Sequence, residues 1–205
     1  MFLNIRATKR LMLIGIIGWP RGDLRRMDDY TRPATWQDLL KIVELLQKHE
    51  VEFVLVGGYA LASHGYTRMT VDIDISVNPS FDNSKKWILA LSELPDGVTK
   101  ELIGEEDPFD GDYKHAIRIN DEFTIDIMPS VSGVDFQTLA NHVDNVQMGD
   151  IGIPVLSLEG LLLTKQNSIR PKDIADVDMV KKMIVIQVRE EPEQDDEDYD
   201  HGSRR

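Results

Sequence analysis

The stretch Val51–Val77, VEFVLVGGYALASHGYTRMTVDIDISV, decides the fold of the chain. One apolar run ends abruptly at Gly57-Gly58, and after a segment of mostly small residues a second apolar run carries Asp72 and Asp74 on alternate positions. Strand side chains repeat every two residues, so both carboxylates point to one face and the neighbouring isoleucines to the other. We therefore predict a strand, a glycine turn with a short helix, and a second strand that holds two acids side by side.

This pattern predicts a metal site next to a phosphate site. Neighbouring carboxylates repel each other unless a proton or a cation lies between them, and hard oxygen donors on a rigid strand suit Mg²⁺. The backbone N–H groups of a Gly-Gly turn that opens a helix can approach a phosphate closely, because glycine has no side chain. We expect Asp72 and Asp74 to bind the metal and Gly57 and Gly58 to bind the phosphate.

The same motif carries a family resemblance. Gly57-Gly58, thirteen residues and then Asp72-Ile73-Asp74 resembles the signature of the polymerase-β-like nucleotidyltransferases. The letters GGYALASHGYTRMTVDIDI are similar to small prokaryotic nucleotidyltransferases related to the AbiEii abortive-infection toxins, as are FTIDIM and SLEGLLLTK…RPKDIADVDMV further on. The resemblance covers residues 35–183. It implies an α+β nucleotidyltransferase fold, with a short mixed β-sheet flanked by helices and a small C-terminal helical module at 157–183.

Asp126 is the third acid of the predicted site. It lies between Ile125 and Ile127, and an ionised carboxylate among β-branched residues is costly unless it is paired. We expect sheet pairing to bring it to the pocket of Asp72 and Asp74. The alternative is a surface acid on an edge strand.

The resemblance implies that a nucleoside monophosphate is transferred from an NTP such as ATP to an acceptor hydroxyl, with release of pyrophosphate. Asp72, Asp74 and Asp126 would be the catalytic residues and the ligands of Mg²⁺, or of Mn²⁺ in its place. The triphosphate is expected to bind residues that offer N–H groups or positive charge, namely Gly57, Gly58, Arg68, Lys165 and Lys172.

Each of these cations has a plainer alternative. Arg68 would otherwise be a solvated loop residue, and Lys165 and Lys172 would be solvated lysines. Lys165 follows a strongly apolar helix and would be a lone charge at its end, which favours a role in the site. Asp173 and Asp176 are three residues apart on a predicted helix, and we expect them to pair with Lys172 or Arg170 rather than to form a second metal site.

The charge distribution bears on the acceptor. The net charge is −13, of which residues 1–26 contribute +5, residues 190–205 contribute −6 and residues 27–189 the remaining −12. An acidic body is atypical of general nucleic-acid binders, although basic residues accumulate in the late helical segment. A tRNA 3′ end is the first acceptor to consider, in a toxin–antitoxin setting with a cognate antitoxin or toxin as partner. A protein side chain and a small hydroxylated molecule such as an aminoglycoside follow, and a non-catalytic nucleotide- or partner-binding module is the alternative of another class.

Composition and patterning also predict the domain organisation. Residues 1–26 are expected to be an N-terminal extension outside the fold, and the alternatives are a signal or anchor segment and an ordered extra element. Residues 27–189 are expected to form the nucleotidyltransferase domain and residues 190–205 a disordered acidic tail. The longest apolar run, Leu11–Trp19, is about half the length that a bilayer requires, so no membrane association is expected. The chain has no cysteine, which agrees with a cytoplasmic location.

Periodicity and turn residues predict the elements around this motif. A helix is expected to start after the capping residue Thr35, and a two-residue turn at Asn120-Asp121 is expected to close a hairpin. Residues 95–112 are expected to be a lid or an unstructured loop. Further helices are predicted at 80–94, 135–141, 158–165 and 171–183, and short strands at 143–156.

Overall fold

The computed structural model describes residues 3–6, 31–109 and 115–190 of the chain. The strands in these ranges are β1 (Leu3–Arg6), β2 (Phe53–Val56), β3 (Asp72–Val77), β4 (Ile117–Asn120), β5 (Thr124–Met128), β6 (Ser130–Val131), β7 (Val134–Asp135), β8 (Val143–Met148) and β9 (Ile151–Leu156). The helices are α1 (Trp36–Lys48), α2 (Gly57–Ser63), α3 (Phe81–Leu91), α4 (Phe136–Ala140), α5 (Leu158–Lys165) and α6 (Pro171–Glu190), with a 3₁₀ helix at Val98–Leu102.

One mixed sheet forms the centre of the described chain, in the order β1-β4-β5-β3-β2-β9-β8. β3 pairs antiparallel with β2 and parallel with β5, whereas β4 and β5 form an antiparallel hairpin. β6 and β7 form a separate two-stranded hairpin. The predicted α+β class, with a mixed sheet flanked by helices, is confirmed.

The two faces of β3 differ: one is apolar and packs into the core, and the other carries the two acids. Ile73, Ile75 and Val77 are completely buried, while Asp72 and Asp74 on the alternate positions remain partly accessible. The apolar face packs into a continuous core with the neighbouring strands and helices. Burial of each large aliphatic side chain stabilises the fold by roughly 1.5–3 kcal/mol. The acids are therefore held on a strand that the core fixes in place.

α1 covers the sheet as its hydrophobic pattern predicts. Hydrogen bonds and an ion pair at Asp38 stabilise its N-terminus. Leu39, Ile42 and Leu46 are fully buried. Thr35 and Asp38 form a capping box, and both oxygens of Asp38 accept hydrogen bonds from Arg32, at 2.6 and 2.7 Å. These bonds hold the pKa of Asp38 well below its usual range.

The segment after α3 differs from the prediction of a lid or an unstructured loop. Residues 98–102 form the 3₁₀ helix, and both Val98 and Phe109 are buried. The Phe109 ring lies 6.0 Å from the ring of Trp87 in the core. Apolar residues spaced through a polar segment therefore attach it to α3. Residues 110–114 lie outside the described chain.

The turn of the β4–β5 hairpin is one residue longer than predicted. Asn120 pairs with Thr124, so Asp121–Phe123 forms a three-residue connection in place of the expected two-residue turn. Phe123 is 1% exposed, and Asp121 accepts N–H hydrogen bonds from Asp96 and Glu122. Burial of the phenyl ring thus takes Phe123 out of the strand register and changes which residues face each other across the hairpin.

The predicted domain limits fall partly on described residues. β1 lies within the predicted extension at 1–26, and its backbone pairs in parallel with β4, whereas residues 7–30 lie outside the described chain. α6 continues to Glu190, beyond the predicted end at residue 183. Residues 191–205, most of the predicted tail, also lie outside it. Among the described helices, none has the length and hydrophobicity that a membrane crossing requires.

Candidate active site

Three carboxylates converge where β3 and β5 run side by side. Asp72 and Asp74 lie on β3, and the parallel register places Asp126 of β5 directly beside Asp74. One carboxylate oxygen from each residue lies within 4.8 Å of the other two. The structure thus brings together the three acids that the sequence singles out. Their catalytic role remains a prediction.

The Gly-Gly turn lies against this triad. Gly57 has a φ of +68°, and a Cβ at this position would lie 2.0 Å from Asp74 Oδ2. α2 begins at Gly57, earlier than the predicted start at Tyr59, and the backbone N–H of Gly58 acts to lower the pKa of Asp74. The role of Gly58 in phosphate binding stays a prediction. Only glycine allows the helix to start this close to Asp74.

The protein does not fully neutralise the triad. Burial raises the pKa of Asp74, and the charges of Asp72 and Asp126 raise it further. The Gly58 hydrogen bond and the charge of Lys165 act in the opposite direction, and the resulting pKa is about 7. Three hard oxygen ligands with mutual repulsion are the donor set that a divalent cation such as Mg²⁺ prefers. The residues present therefore fit a metal ion.

Arg118 is a site residue that the sequence analysis missed. It lies on β4 directly across the hairpin from Asp126. Its Nε donates to Asp126 Oδ1 at 2.8 Å, and its Nη2 donates to Asp126 Oδ2 at 2.7 Å and to Asp72 Oδ2 at 3.4 Å. The hydrogen bonds to Asp126 raise the pKa of Arg118, which is thus a fixed positive charge on the triad.

A second cluster of charged side chains lies at the wall of the same cavity. Lys165 at the end of α5 lies 3.0 Å from Asp173 Oδ1 and 2.9 Å from Asp176 Oδ2, the latter without hydrogen-bond alignment. Arg68, in the segment that leads into β3, donates from Nε to Asp176 Oδ1 at 3.0 Å. Arg170 donates to Asp173 Oδ2 at 2.6 Å. The cluster connects α5 and α6 to the segment before the carboxylate strand.

The pairing in this cluster modifies two predictions. Lys165 and Arg68 both line the cavity, but their charges face Asp173 and Asp176. Burial alone would raise the pKa of Asp173, but hydrogen bonds from Ser168, Lys165 and Arg170 outweigh it and lower the pKa to about 2. The pairing of Asp173 with Arg170 agrees with prediction, whereas the contacts with Lys165 and Arg68 were not predicted.

One cavity of about 350 Å³ is lined by residues of both the carboxylate triad and the second charged cluster. Every predicted catalytic or nucleotide-binding residue except Gly58 lines it, and so does Arg118. Lys172 is exposed at its rim, on the first turn of α6. His64, at the end of α2, has its Nε2 2.9 Å from the carbonyl oxygen of Leu156 and thus joins α2 to β9.

Comparison with known protein families gives a match over most of the chain. A family model described as "Nucleotidyl transferase AbiEii toxin, Type IV TA system" matches residues 39–197, which is most of the chain. No curated protein is significantly similar to the chain in sequence.

Several solved structures resemble the chain at low identity. A nucleotidyltransferase from Thermotoga maritima is 20% identical, with 73% of this chain and 92% of that chain covered and a TM-score of 0.45. The lincosamide antibiotic adenylyltransferase LnuA, bound to lincomycin, is also 20% identical, with 74% and 99% covered and a TM-score of 0.49. An antigenic nucleotidyltransferase-like protein from Paracoccidioides brasiliensis is 16% identical, with 75% and 78% covered and a TM-score of 0.44.

Proposed function

Because the chain belongs to the AbiEii family of nucleotidyltransferases, we propose that it transfers a nucleoside monophosphate from an NTP to the 3′ end of a tRNA, with a divalent cation bound at the carboxylate triad. The observation that carries this proposal is the convergence of Asp72, Asp74 and Asp126 on one cavity beside a glycine turn. The family description names a type IV toxin–antitoxin system, so a cognate antitoxin is the proposed partner.

Each residue has a separate task in this reaction. Asp72, Asp74 and Asp126 would hold Mg²⁺, or Mn²⁺ in its place. A metal bound there would supply positive charge to the α-phosphate and to the departing pyrophosphate. Lys165 and Arg68, held by their buried acids, would present positive potential to the triphosphate from the wall of the cavity. Lys172, exposed at the rim, is free to move toward it.

The transfer itself exchanges one phosphorus–oxygen bond for another. The acceptor hydroxyl oxygen forms a bond to the α-phosphorus, and the bond from the α-phosphorus to the bridging oxygen of the β-phosphate breaks. Pyrophosphate leaves with the electrons of that bond. The hydroxyl proton passes to a carboxylate of the site, and we assign this role to Asp126, which lines the cavity.

The rim of the cavity supports an RNA end as acceptor. Arg170 and Lys172 place two cations there, and the neighbouring side chains of Met69 and Ile169 are 88% and 91% exposed. A single-stranded RNA end offers phosphates to cations and flat base faces to apolar side chains. The charge of −12 on residues 27–189 gives no long-range attraction, so these local contacts would have to provide the binding.

The test uses the full-length protein with each of the four NTPs labelled at the α-phosphate, total tRNA, and either Mg²⁺ or EDTA. We expect label in tRNA with Mg²⁺ and none with EDTA. Asp72→Asn and Asp74→Asn should each lose nearly all transfer. Asp82→Asn, which removes an exposed carboxylate from α3, should retain it.

The outcome also separates the acceptors. Label that survives nuclease but not protease would identify a protein acceptor. Label in neither tRNA nor protein would direct the search to small hydroxylated molecules. An acidic protein attracts such molecules when they are cationic. Wild-type turnover of Asp72→Asn or Asp74→Asn on a proven acceptor would refute the role of that residue.

A further inference from the structure

The position of Arg118 poses a question that the transfer reaction leaves open. Its guanidinium occupies both oxygens of Asp126 and reaches Asp72, yet these are the residues proposed to bind a metal. Asp126 has a side chain that is 4% exposed, and that of Arg118 is 33% exposed. Asp126 is thus nearly buried beside a partly exposed arginine, and both residues line the cavity.

The geometry of this contact makes it strong. A guanidinium that donates two parallel N–H groups to one carboxylate forms a charge-assisted, bidentate pair with fixed orientation. Cross-strand pairing of Arg118 with Asp126 brings the two side chains to the same face of the sheet. The arginine is thus built into the sheet next to its acid and does not have to be recruited from a loop.

A divalent cation and this arginine need the same oxygens. A metal bound by Asp126 and Asp72 must share their lone pairs with a hydrogen-bonded guanidinium or displace it, and the two positive charges repel at such short range. In the metal-free protein, by contrast, the guanidinium offsets the repulsion among the three carboxylates.

We propose that Arg118 is an internal counter-cation of the triad, which competes with the divalent cation for Asp126 and so lowers the metal affinity of the free site. This inference rests on the proposed function, since it takes the triad as the metal site. Arg118 is a positioning residue in this view: it acts on a carboxylate and does not itself bind the metal. The free protein should hold its cation weakly, and loss of Arg118 should tighten metal binding.

The experiment measures Mn²⁺ binding to the full-length protein at pH 8 without nucleotide, from the electron paramagnetic resonance signal of free Mn²⁺. Arg118→Met keeps a long side chain without charge and should bind Mn²⁺ at least tenfold more tightly than wild type, which corresponds to about 1.4 kcal/mol. Arg118→Lys keeps the charge but loses the bidentate contact, and it should fall between the two.

Arg170→Met is the matched control. It removes the same charge from the same cavity, but Arg170 contacts Asp173 and not the triad. Its Mn²⁺ affinity should stay within about threefold of wild type. A control that tightens as much as Arg118→Met would show an effect of overall cavity charge and would overturn the inference.

Thermal unfolding provides a second readout. Without metal, Arg118→Met should melt at a lower temperature than wild type, and saturating Mn²⁺ should raise its melting temperature by more than that of wild type. If Arg118→Met does not fold, Arg118→Lys decides: tighter Mn²⁺ binding than wild type supports competition, and equal or weaker binding refutes it.

The two proposals fail in different ways. Equal or weaker binding of Mn²⁺ by Arg118→Met, with measurable binding by wild type, would overturn the competition alone and leave the metal site intact. Absence of Mn²⁺ binding by wild type and by every variant up to millimolar concentrations would remove the metal site itself, and the competition with it.

Discussion

Replacement of Asp176 by asparagine tests the buried charge cluster, because the two side chains have nearly the same shape. Asp176 is completely buried and faces Arg68 at 3.0 Å and Lys165 at 2.9 Å. Removal of one partner from a buried ion pair costs about 3–5 kcal/mol. Lys165 keeps Asp173 at 3.0 Å, and Arg68 is 21% exposed and can be hydrated in part, so the lower end applies. We expect a loss of about 3 kcal/mol.

For a chain of this length, each kcal/mol lowers the melting temperature by about 2–4 °C, so the expected decrease is about 6–12 °C. Differential scanning calorimetry and urea unfolding measure it. Asp178→Asn is the matched control, since it makes the same chemical change at an exposed position two residues further along α6. It should stay within about 0.5 kcal/mol of wild type.

A double-mutant cycle with Lys165→Met separates the pair from the rest of the cluster. The double variant should lose less stability than the sum of the single losses, because removal of Lys165 also removes a charge that Asp176 compensates. If Asp176→Asn costs no more than Asp178→Asn, the cluster contributes no net stability, and the attachment of α6 to the cavity wall must depend on apolar contacts alone.

Three further predictions follow from single contacts. Gly57→Ala should lower transfer activity at least 100-fold, because its Cβ would displace Asp74 and an error of about 1 Å in a reacting group has this effect. Asp38→Asn should cost about 1–2 kcal/mol at pH 7 and should remove part of the stability that wild type loses as the pH falls below about 4. That sign follows because Arg32 lowers the pKa of Asp38 in the folded state, so protonation of Asp38 favours unfolding. Lys172→Glu should weaken binding of tRNA at least tenfold and reduce its salt dependence, without change in stability.

Each of these variants has a control. Gly65 also has a positive φ, of +94°, but a Cβ there meets no atom within 4 Å, so Gly65→Ala should keep its activity. Equal losses in Gly57→Ala and Gly65→Ala would attribute the effect to backbone strain and not to Asp74. Lys41→Glu changes the same charge on the exposed face of α1, and an equal loss of tRNA binding there would refute a specific contact at Lys172. A pH profile of Asp38→Asn parallel to that of wild type would contradict the assigned linkage.

Local patterns predict the part of the site that depends on short-range geometry. Alternation along a strand places Asp72 and Asp74 on one face whatever the rest of the chain does, and the turn at Gly57 follows from the need for a positive φ. Likewise the capping side chain of Thr35 marks the start of α1. These features depend on neighbours in sequence, and the sequence is sufficient for them.

Arg118 was missed because of the hairpin register. With the predicted two-residue turn, Arg118 would lie opposite Phe123; the observed three-residue turn places it opposite Asp126. The partner of Arg118 thus shifts by three residues because Phe123 is buried in the core, which a turn motif cannot indicate. The alternation of Ile117 and Ile119 with Arg118 was available as a signal, and the correct register would have revealed the ion pair.

The two groups of acidic residues at the cavity differ in how far neighbouring basic side chains neutralise them. Asp173 and Asp176 face Lys165, Arg68 and Arg170, and the pKa of Asp173 is lowered although burial opposes this. Asp74, in the triad, has a pKa raised to about 7 although Arg118 contacts the neighbouring acids. Basic side chains thus outnumber Asp173 and Asp176, whereas the positive charge beside the triad does not neutralise its three carboxylates. A divalent cation should therefore bind at the triad and not at the acids of α6, and loss of Asp173 or Asp176 should leave the Mn²⁺ stoichiometry of the folded protein unchanged.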